Sequence, residues 1–320
     1  MKESDPKGGI RQAGLELNDV ANLSKSRTPQ SLPITPDGIT MIHRSKLTGI
    51  TLFVSCLLVI LGWINTPITL AKDIVPVGEK IAVDTKGHDI YQVSANGIKI
   101  GYKLIGTGEP LLLITGLGAT MERWEPEFIE EASKKYQLIL MDNRGMGYTT
   151  DNGQQFTYRL FAQDVIGLLD SLEVKKTNVL GYSQSSVTTQ NLLLYYSERF
   201  NKAIIHATSI DGKAVATALK HMALPDNPTI KKQLQAAIAW KTPLEKMSLI
   251  KNPVMLLVGT ADTVVGTKSS KILASLIPGA WLVQFKGGSH HLQYEAPSAF
   301  TQIVLTFLAM DETVPAKQNP

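Results

Sequence analysis

Residues 176–187 read Lys-Thr-Asn-Val-Leu-Gly-Tyr-Ser-Gln-Ser-Ser-Val, a strand that runs straight into a helix with one serine, Ser183, at the bend. Asn178, Val179 and Leu180 make a short strand-type run, and from Gln184 onward Val187, Leu192, Leu193 and Tyr196 recur at roughly helical spacing. Gly181 and Ser185, two positions to either side of Ser183, are small, because larger side chains would collide where strand and helix meet. A bend this sharp strains the serine's backbone and leaves its Oγ exposed at the helix N-terminus. The spacing is Gly-x-Ser-x-Ser, one hydroxyl away from the commoner Gly-x-Ser-x-Gly.

Outward from this bend the chain alternates strands and helices. A hairpin is expected over 93–106, turning at Asn96-Gly97, followed by buried strands at Leu111–Ile114 and Gln137–Met141. Further strands are expected at Ala203–Ala207, Val254–Val258 and Trp281–Phe285, with helices over 121–135, 157–172 and 298–308. This order predicts a mainly parallel sheet of eight strands covered by helices on both faces. Between Ala207 and Val254 the chain has room only for a small helical cap, about 209–249, with short helices at 212–222 and 229–240.

A serine hydroxyl is a weak nucleophile until a base takes its proton, and that base needs an acceptor to fix its tautomer. Of the six histidines, His43, His88, His206 and His221 fall before the domain, in a linker, in a buried strand and in a Lys/Met stretch. His290 and His291 remain, on a glycine-rich loop directly after the last strand, at the sheet end where Ser183 is expected. Gly259-Thr260-Ala261-Asp262 follows its own strand in the same way, which makes Asp262 the candidate acid.

With these residues in the order Ser, Asp, His, the segment from about Ile98 to Leu308 resembles the α/β-hydrolase fold family. The turn at Thr115-Gly116-Leu117-Gly118 and the Asp-x-Arg-Gly-x-Gly turn at Asp142–Gly147 belong to the same pattern. The resemblance implies a catalytic Ser183, Asp262 and His290, the last chosen over His291 because Pro297 stands seven residues beyond it. It implies an oxyanion hole made by the backbone N–H groups of Leu117 and Gln184, and no metal or cofactor. Thr115-Gly116 stands where the family often has His-Gly. The small cap implies an open pocket, with Trp124, Met222 and Trp240 as candidate walls. The activity implied is hydrolysis of an ester, or of an amide or lactone, through an acyl-enzyme. A non-turnover ligand receptor and a cofactor-free oxygenase or peroxidase are the alternatives on the same fold.

The rest of the 320 residues sets the surroundings. Residues 1–46 lack apolar periodicity and read as a disordered tail. From Thr48 to Ala71 no residue is charged, and the expected structure is a membrane segment, either an uncleaved anchor or, with a start at Met41 and cleavage after Ala71, a signal peptide. Arg44 and Lys46 before it place the N-terminus in the cytoplasm and everything after Lys72 outside, in the cell envelope or secreted. A polar linker is expected over 72–90, the catalytic domain over 91–310 and a short tail over 311–320. The net charge of +4 comes from scattered lysines with no aromatic stripe, which argues against a nucleic-acid partner; the expected partners are the membrane and a small or lipidic acyl substrate. The single cysteine, Cys56, excludes an intramolecular disulfide and a thiol metal site.

Overall fold

The computed structural model describes residues 73–219 and 226–311. The expected tail at 1–46, the membrane segment at 48–71 and nearly all of the 311–320 tail lie outside the described residues. Among the described residues no helix is long and apolar enough to cross a membrane.

The strands are β1 (Glu79–Val83), β2 (Asp89–Ala95), β3 (Ile98–Ile105), β4 (Glu109–Ile114), β5 (Tyr136–Met141), β6 (Thr177–Tyr182), β7 (Phe200–His206), β8 (Val254–Gly259) and β9 (Trp281–Phe285). The helices are α1 (Pro126–Ser133), α2 (Tyr158–Ser171), α3 (Gln184–Tyr195), α4 (Gly212–Leu219), α5 (Pro228–Ala239), α6 (Lys268–Leu276), α7 (Leu292–Glu295) and α8 (Pro297–Ala309). The strands form one sheet in the order β1-β2-β3-β5-β4-β6-β7-β8-β9, antiparallel from β1 through the β3–β5 pair and parallel beyond it. From β4 the chain goes to β5 on one side and then to β6 on the other, so a crevice opens beyond the carboxyl ends of β4 and β6.

The central strands are buried on both faces, as their unbroken apolar runs require. Leu112, Ile114, Ile139 and Val179 pack with Val165 and Leu168 of α2 and Leu192 of α3. Leu111, Leu113, Leu138 and Leu180 pack on the other face with Phe128 of α1 and Phe300 and Val304 of α8. The result is the three-layer arrangement that the alternation of elements implies.

Three expectations are corrected. The sheet has nine strands among the described residues, because β1 forms within the stretch expected to be a polar linker. That stretch is also docked. Gly108 N–H donates to Asp73 Oδ1 at 2.9 Å, the Gln137 amide bonds both the N–H and the C=O of Ile74 (2.6 and 2.9 Å), and the Tyr102 hydroxyl does the same for Val77 (2.7 and 2.6 Å). The charged residues spread over 72–90 concealed this, although Ile74 and Val77 pack against the core as their backbone groups are bonded. Finally, the helix expected over 121–135 is broken: a 3-10 turn at Met121–Arg123 gives way to extended backbone at Trp124 and Glu125 before α1 begins at Pro126. Pro126 biases the residue before it away from the helical region and has no N–H, and both features suit the first position of a new helix.

The turn after β5 is built on buried charge. Arg144, with almost no exposed surface, bonds both carboxylate oxygens of Asp164 in α2, and its Nη1 reaches Asn152 Oδ1 at 2.9 Å. Asn96 Nδ2, at the tip of the β2–β3 hairpin, donates to the same carboxylate at 2.6 Å. One ion pair therefore ties the hairpin, the turn and α2 together. Replacing Asp164 by Asn would leave the Arg144 charge buried without its partner, and the expected loss of stability is about 3–5 kcal/mol in urea denaturation.

A second buried group gives stability a pH dependence. His206, at the end of β7, is fully buried, with Nδ1 3.2 Å from Leu257 O and Nε2 3.0 Å from Gln293 Oε1. Burial, partly offset by these two contacts, lowers its pKa from the ordinary 6.5 to about 4. The unfolded chain therefore takes up this proton first, and stability is lost as the pH falls from about 6.5 to about 4. Asp142 works in the opposite sense: burial, only partly countered by the N–H groups of Tyr148 and Met121, raises it from 3.8 to about 6. The two slopes offset each other where they overlap, so the wild-type profile alone does not reveal either. The difference in unfolding free energy between wild type and His206→Gln should shrink by about 3 kcal/mol between pH 7 and pH 4. A gap of constant size would mean that His206 is not held neutral.

Candidate active site

The strand-to-helix bend is as sharp as the sequence implies. Ser183 lies between β6 and α3 with φ 54° and ψ −117°, in the half of conformational space that a side chain ordinarily avoids. Its N–H donates to His206 O at 2.9 Å, which carries the β6–β7 pairing into the bend. A methyl group on Gly181 would come within 2.3 Å of the Ser185 carbonyl oxygen, so only glycine fits there. Ser185 donates its hydroxyl to Thr115 O at 2.5 Å, while Asn143 Nδ2 donates to the same carbonyl at 3.0 Å. The two residues that depart from the common family pattern, Ser185 and Thr115, are thus bonded to each other. The extra hydroxyl pins the nucleophile bend to the turn after β4.

Three side chains from three strand ends converge at this bend. Ser183 Oγ lies 2.8 Å from His290 Nε2, and His290 Nδ1 lies 2.9 Å from Asp262 Oδ2. The other Asp262 oxygen accepts the N–H groups of Val264 (2.8 Å) and Val265 (2.9 Å). Burial pushes the Asp262 carboxyl up, but the hydrogen bond and charge of His290 and these two N–H groups outweigh it and hold the pKa below the ordinary value. Asp262 is therefore an anion that fixes the His290 proton on Nδ1 and leaves Nε2 free to accept from Ser183. The neighbouring His291 points elsewhere, with Nδ1 2.7 Å from the Tyr182 hydroxyl, which also lies 3.1 Å from His290 O. Tyr182 so holds the histidine loop from below, a role that its place in the Gly-Tyr-Ser run does not advertise.

Gly116 brings the turn after β4 against the nucleophile, since a methyl group there would lie 3.1 Å from Ser183 Cβ. Leu117 follows it. Gln184 opens α3, so its backbone N–H is one of the helix's first four donors, which have no partner inside the helix. The turn has a support from the cap: Gln233 in α5, fully buried, accepts the Gly118 N–H through Oε1 at 2.8 Å. Helical spacing gave no hint of Gln233, because a polar residue on a cap helix reads as solvent-facing until the helix it belongs to is seen lying over the turn.

A cavity of about 230 Å³ opens above Ser183 and His290, walled mainly by apolar side chains that include Val187, Leu234, Ala237 and Val265. The expected walls are only partly these. Trp124 does not line it: the break before Pro126 turns the indole into the core against Phe128, with ring centroids 5.9 Å apart, beside a separate polar cavity near Lys103. Trp240 stands behind the wall rather than in it, packed edge-on against Tyr158 at 5.3 Å while Tyr158 itself lines the cavity. Met222 falls outside the described residues. Among the described residues there is no group of side chains suited to hold a metal ion.

Comparison with known proteins agrees with this architecture. Residues 109–240 match the family model described as alpha/beta hydrolase fold. Over 112 residues the chain is 30% identical to "Putative non-heme bromoperoxidase BpoC" of Mycobacterium tuberculosis, covering 35% of this chain and 42% of that protein, so the match spans less than half of the relative. The meta-cleavage product hydrolase CumD of Pseudomonas fluorescens superposes with a TM-score of 0.62 at 20% identity, over 68% of this chain and 96% of that one. The enol-lactonase of Burkholderia xenovorans superposes with a TM-score of 0.60 at 22% identity, over 68% and 100%. From the sheet order and these neighbours, the chain has the α/β-hydrolase fold, and residues 109–240 match the model of that family.

Proposed function

We propose that this chain is a serine hydrolase that cleaves an ester through an acyl-enzyme. The observation that carries this reading is the unbroken line from Ser183 Oγ through His290 to the Asp262 carboxylate, at 2.8 and 2.9 Å. As Oγ attacks the carbonyl carbon, its proton passes to His290 Nε2, and the charge that develops on the imidazole is met by Asp262. The oxyanion of the tetrahedral intermediate would face the N–H groups of Leu117 and Gln184, where loss of one donor costs about a hundredfold to a thousandfold in rate. His290 then protonates the departing alkoxide, leaving the acyl group on Ser183. Water repeats the sequence in reverse order of roles, with His290 again as base, and releases the acid.

Relatives in this fold bear the names of a lactonase and of a non-heme bromoperoxidase, and a receptor without turnover remains the rival of a different class. A fluorophosphonate probe separates the hydrolase from the receptor, because only an activated Ser183 attacks it. Ser183→Ala and His290→Ala should each abolish labelling and lower p-nitrophenyl ester hydrolysis by a thousandfold or more, since the members act as a unit. His291→Ala should be mild by comparison. Labelling that persists in Ser183→Ala would overturn the assignment.

The proposal extends to place. The uncharged run at 48–71 with Arg44 and Lys46 before it supports a catalytic domain held outside the cytoplasm, as a single-pass protein or as a released form. External protease on intact spheroplasts should digest an anchored domain. Protection until detergent is added would reverse the orientation, and a soluble form starting at Lys72 would identify the run as a cleaved signal.

A further inference from the structure

Two polar groups at the cavity are not used by the chemistry proposed above. Gln184, among the residues around the cavity, is 5% exposed, and its amide oxygen and nitrogen are buried without a hydrogen-bond partner. Leaving both ends of a buried amide unsatisfied is costly, and such groups in native proteins are ordinarily partnered. Arg123 lines the same cavity, at the end of the 3-10 turn that follows β4, and is exposed. Its guanidinium lies 5.7 Å from the centre of the Tyr294 ring, and no ion pair joins it to a carboxylate among the described residues.

The nearby acids are committed elsewhere. Glu122 bonds Lys103 at 2.8 Å, Glu125 accepts the Phe128 N–H at 2.9 Å, Glu295 accepts the Ser289 N–H at 2.8 Å, and Asp262 serves His290. The buried and half-buried arginines, by contrast, are engaged: Arg144 with Asp164 and Arg199 with Asp170. The Arg123 charge is felt in the site, where together with burial and the charge of His290 it lowers the pKa of His291. The cavity walls are mainly apolar, with Tyr158, Ser209 and His291 adding polar groups. At about 230 Å³ the cavity is smaller than the ~300–1,000 Å³ of pockets that hold drug-sized ligands, so it suits a short chain.

We propose that the acyl half of the substrate is short and ends in a carboxylate, bound by Arg123 of the cavity lining. This rests on the ester-hydrolase reading and narrows it to half-esters of short dicarboxylic acids. A guanidinium presents two parallel N–H donors to a carboxylate, and a charge-assisted bond of this kind is worth about tenfold to a hundredfold in binding. Such binding is the same in the ground and transition states, so it appears in KM more than in kcat.

The test compares mono-p-nitrophenyl glutarate with p-nitrophenyl pentanoate, which match in chain length and differ in the terminal charge. Wild type should favour the glutarate ester by about tenfold or more in kcat/KM, mostly through KM, and the preference should shrink as salt is added. Arg123→Met should bring the ratio of the two esters close to one, and Arg123→Lys should lie between. A wild-type preference for the neutral ester, or a preference that survives Arg123→Met, overturns the proposal while leaving the hydrolase reading intact. Binding tests it without turnover: monomethyl glutarate should bind Ser183→Ala about tenfold more tightly than it binds Ser183→Ala/Arg123→Met in titration calorimetry. If neither ester is cleaved, the hydrolase reading fails, and this binding difference alone decides the proposal; equal affinities overturn it.

Discussion

Ser183 holds a backbone conformation that L-residues avoid, and much of the surrounding structure follows from holding it there. A strained residue persists only where its neighbours leave it no alternative. Here β6 enters from one side with its last N–H bonds to β7, α3 leaves on the other, and Gly181 permits the close crossing. Ser185 adds a bond to Thr115 that a glycine in its place lacks. The strain is thus shared with the turn after β4, and Ser183 and the expected oxyanion donors are fixed by one set of contacts rather than two.

The fold was legible in the sequence wherever buried strands are written as unbroken apolar runs, as in β4, β5 and β8. The hairpin at Asn96-Gly97 was legible because its two residues take positive φ, as such a turn demands. Ser183, Asp262 and His290 could be found by topology, since each follows directly on a strand. What was not legible has two physical causes. The first is polarity in the interior: α3 is buried on every side yet carries Ser185, Ser186, Thr188, Thr189, Gln190 and Asn191. All of these but Thr188 are accommodated by bonds to the helix's own carbonyls and to distant partners, such as Thr189 to Ser185 O and Gln190 to Thr208. No hydrophobic period records such bonds.

The second cause is backbone docking. The stretch over 72–90 looked like a linker because charged residues recur along it, and Trp124 looked like a cavity wall because it falls close to the turn after β4. In both cases the deciding event is local: a few backbone hydrogen bonds in one, and the conformational restriction before Pro126 in the other. Gln233 belongs to the same class, because its importance comes from one bond to Gly118 that joins a cap helix to the turn beneath it.

The docked strap before β1 also gives the molecule a front and a back. Asp73 and Ile74 are fastened to Gly108 and Gln137, which sit where β4 and β5 begin, whereas Ser183, Asp262 and His290 sit where strands end. The chain therefore joins the domain at the rear, and the cavity opens at the opposite pole of the sheet. Whatever enters the cavity therefore approaches the sheet from the end opposite to Asp73.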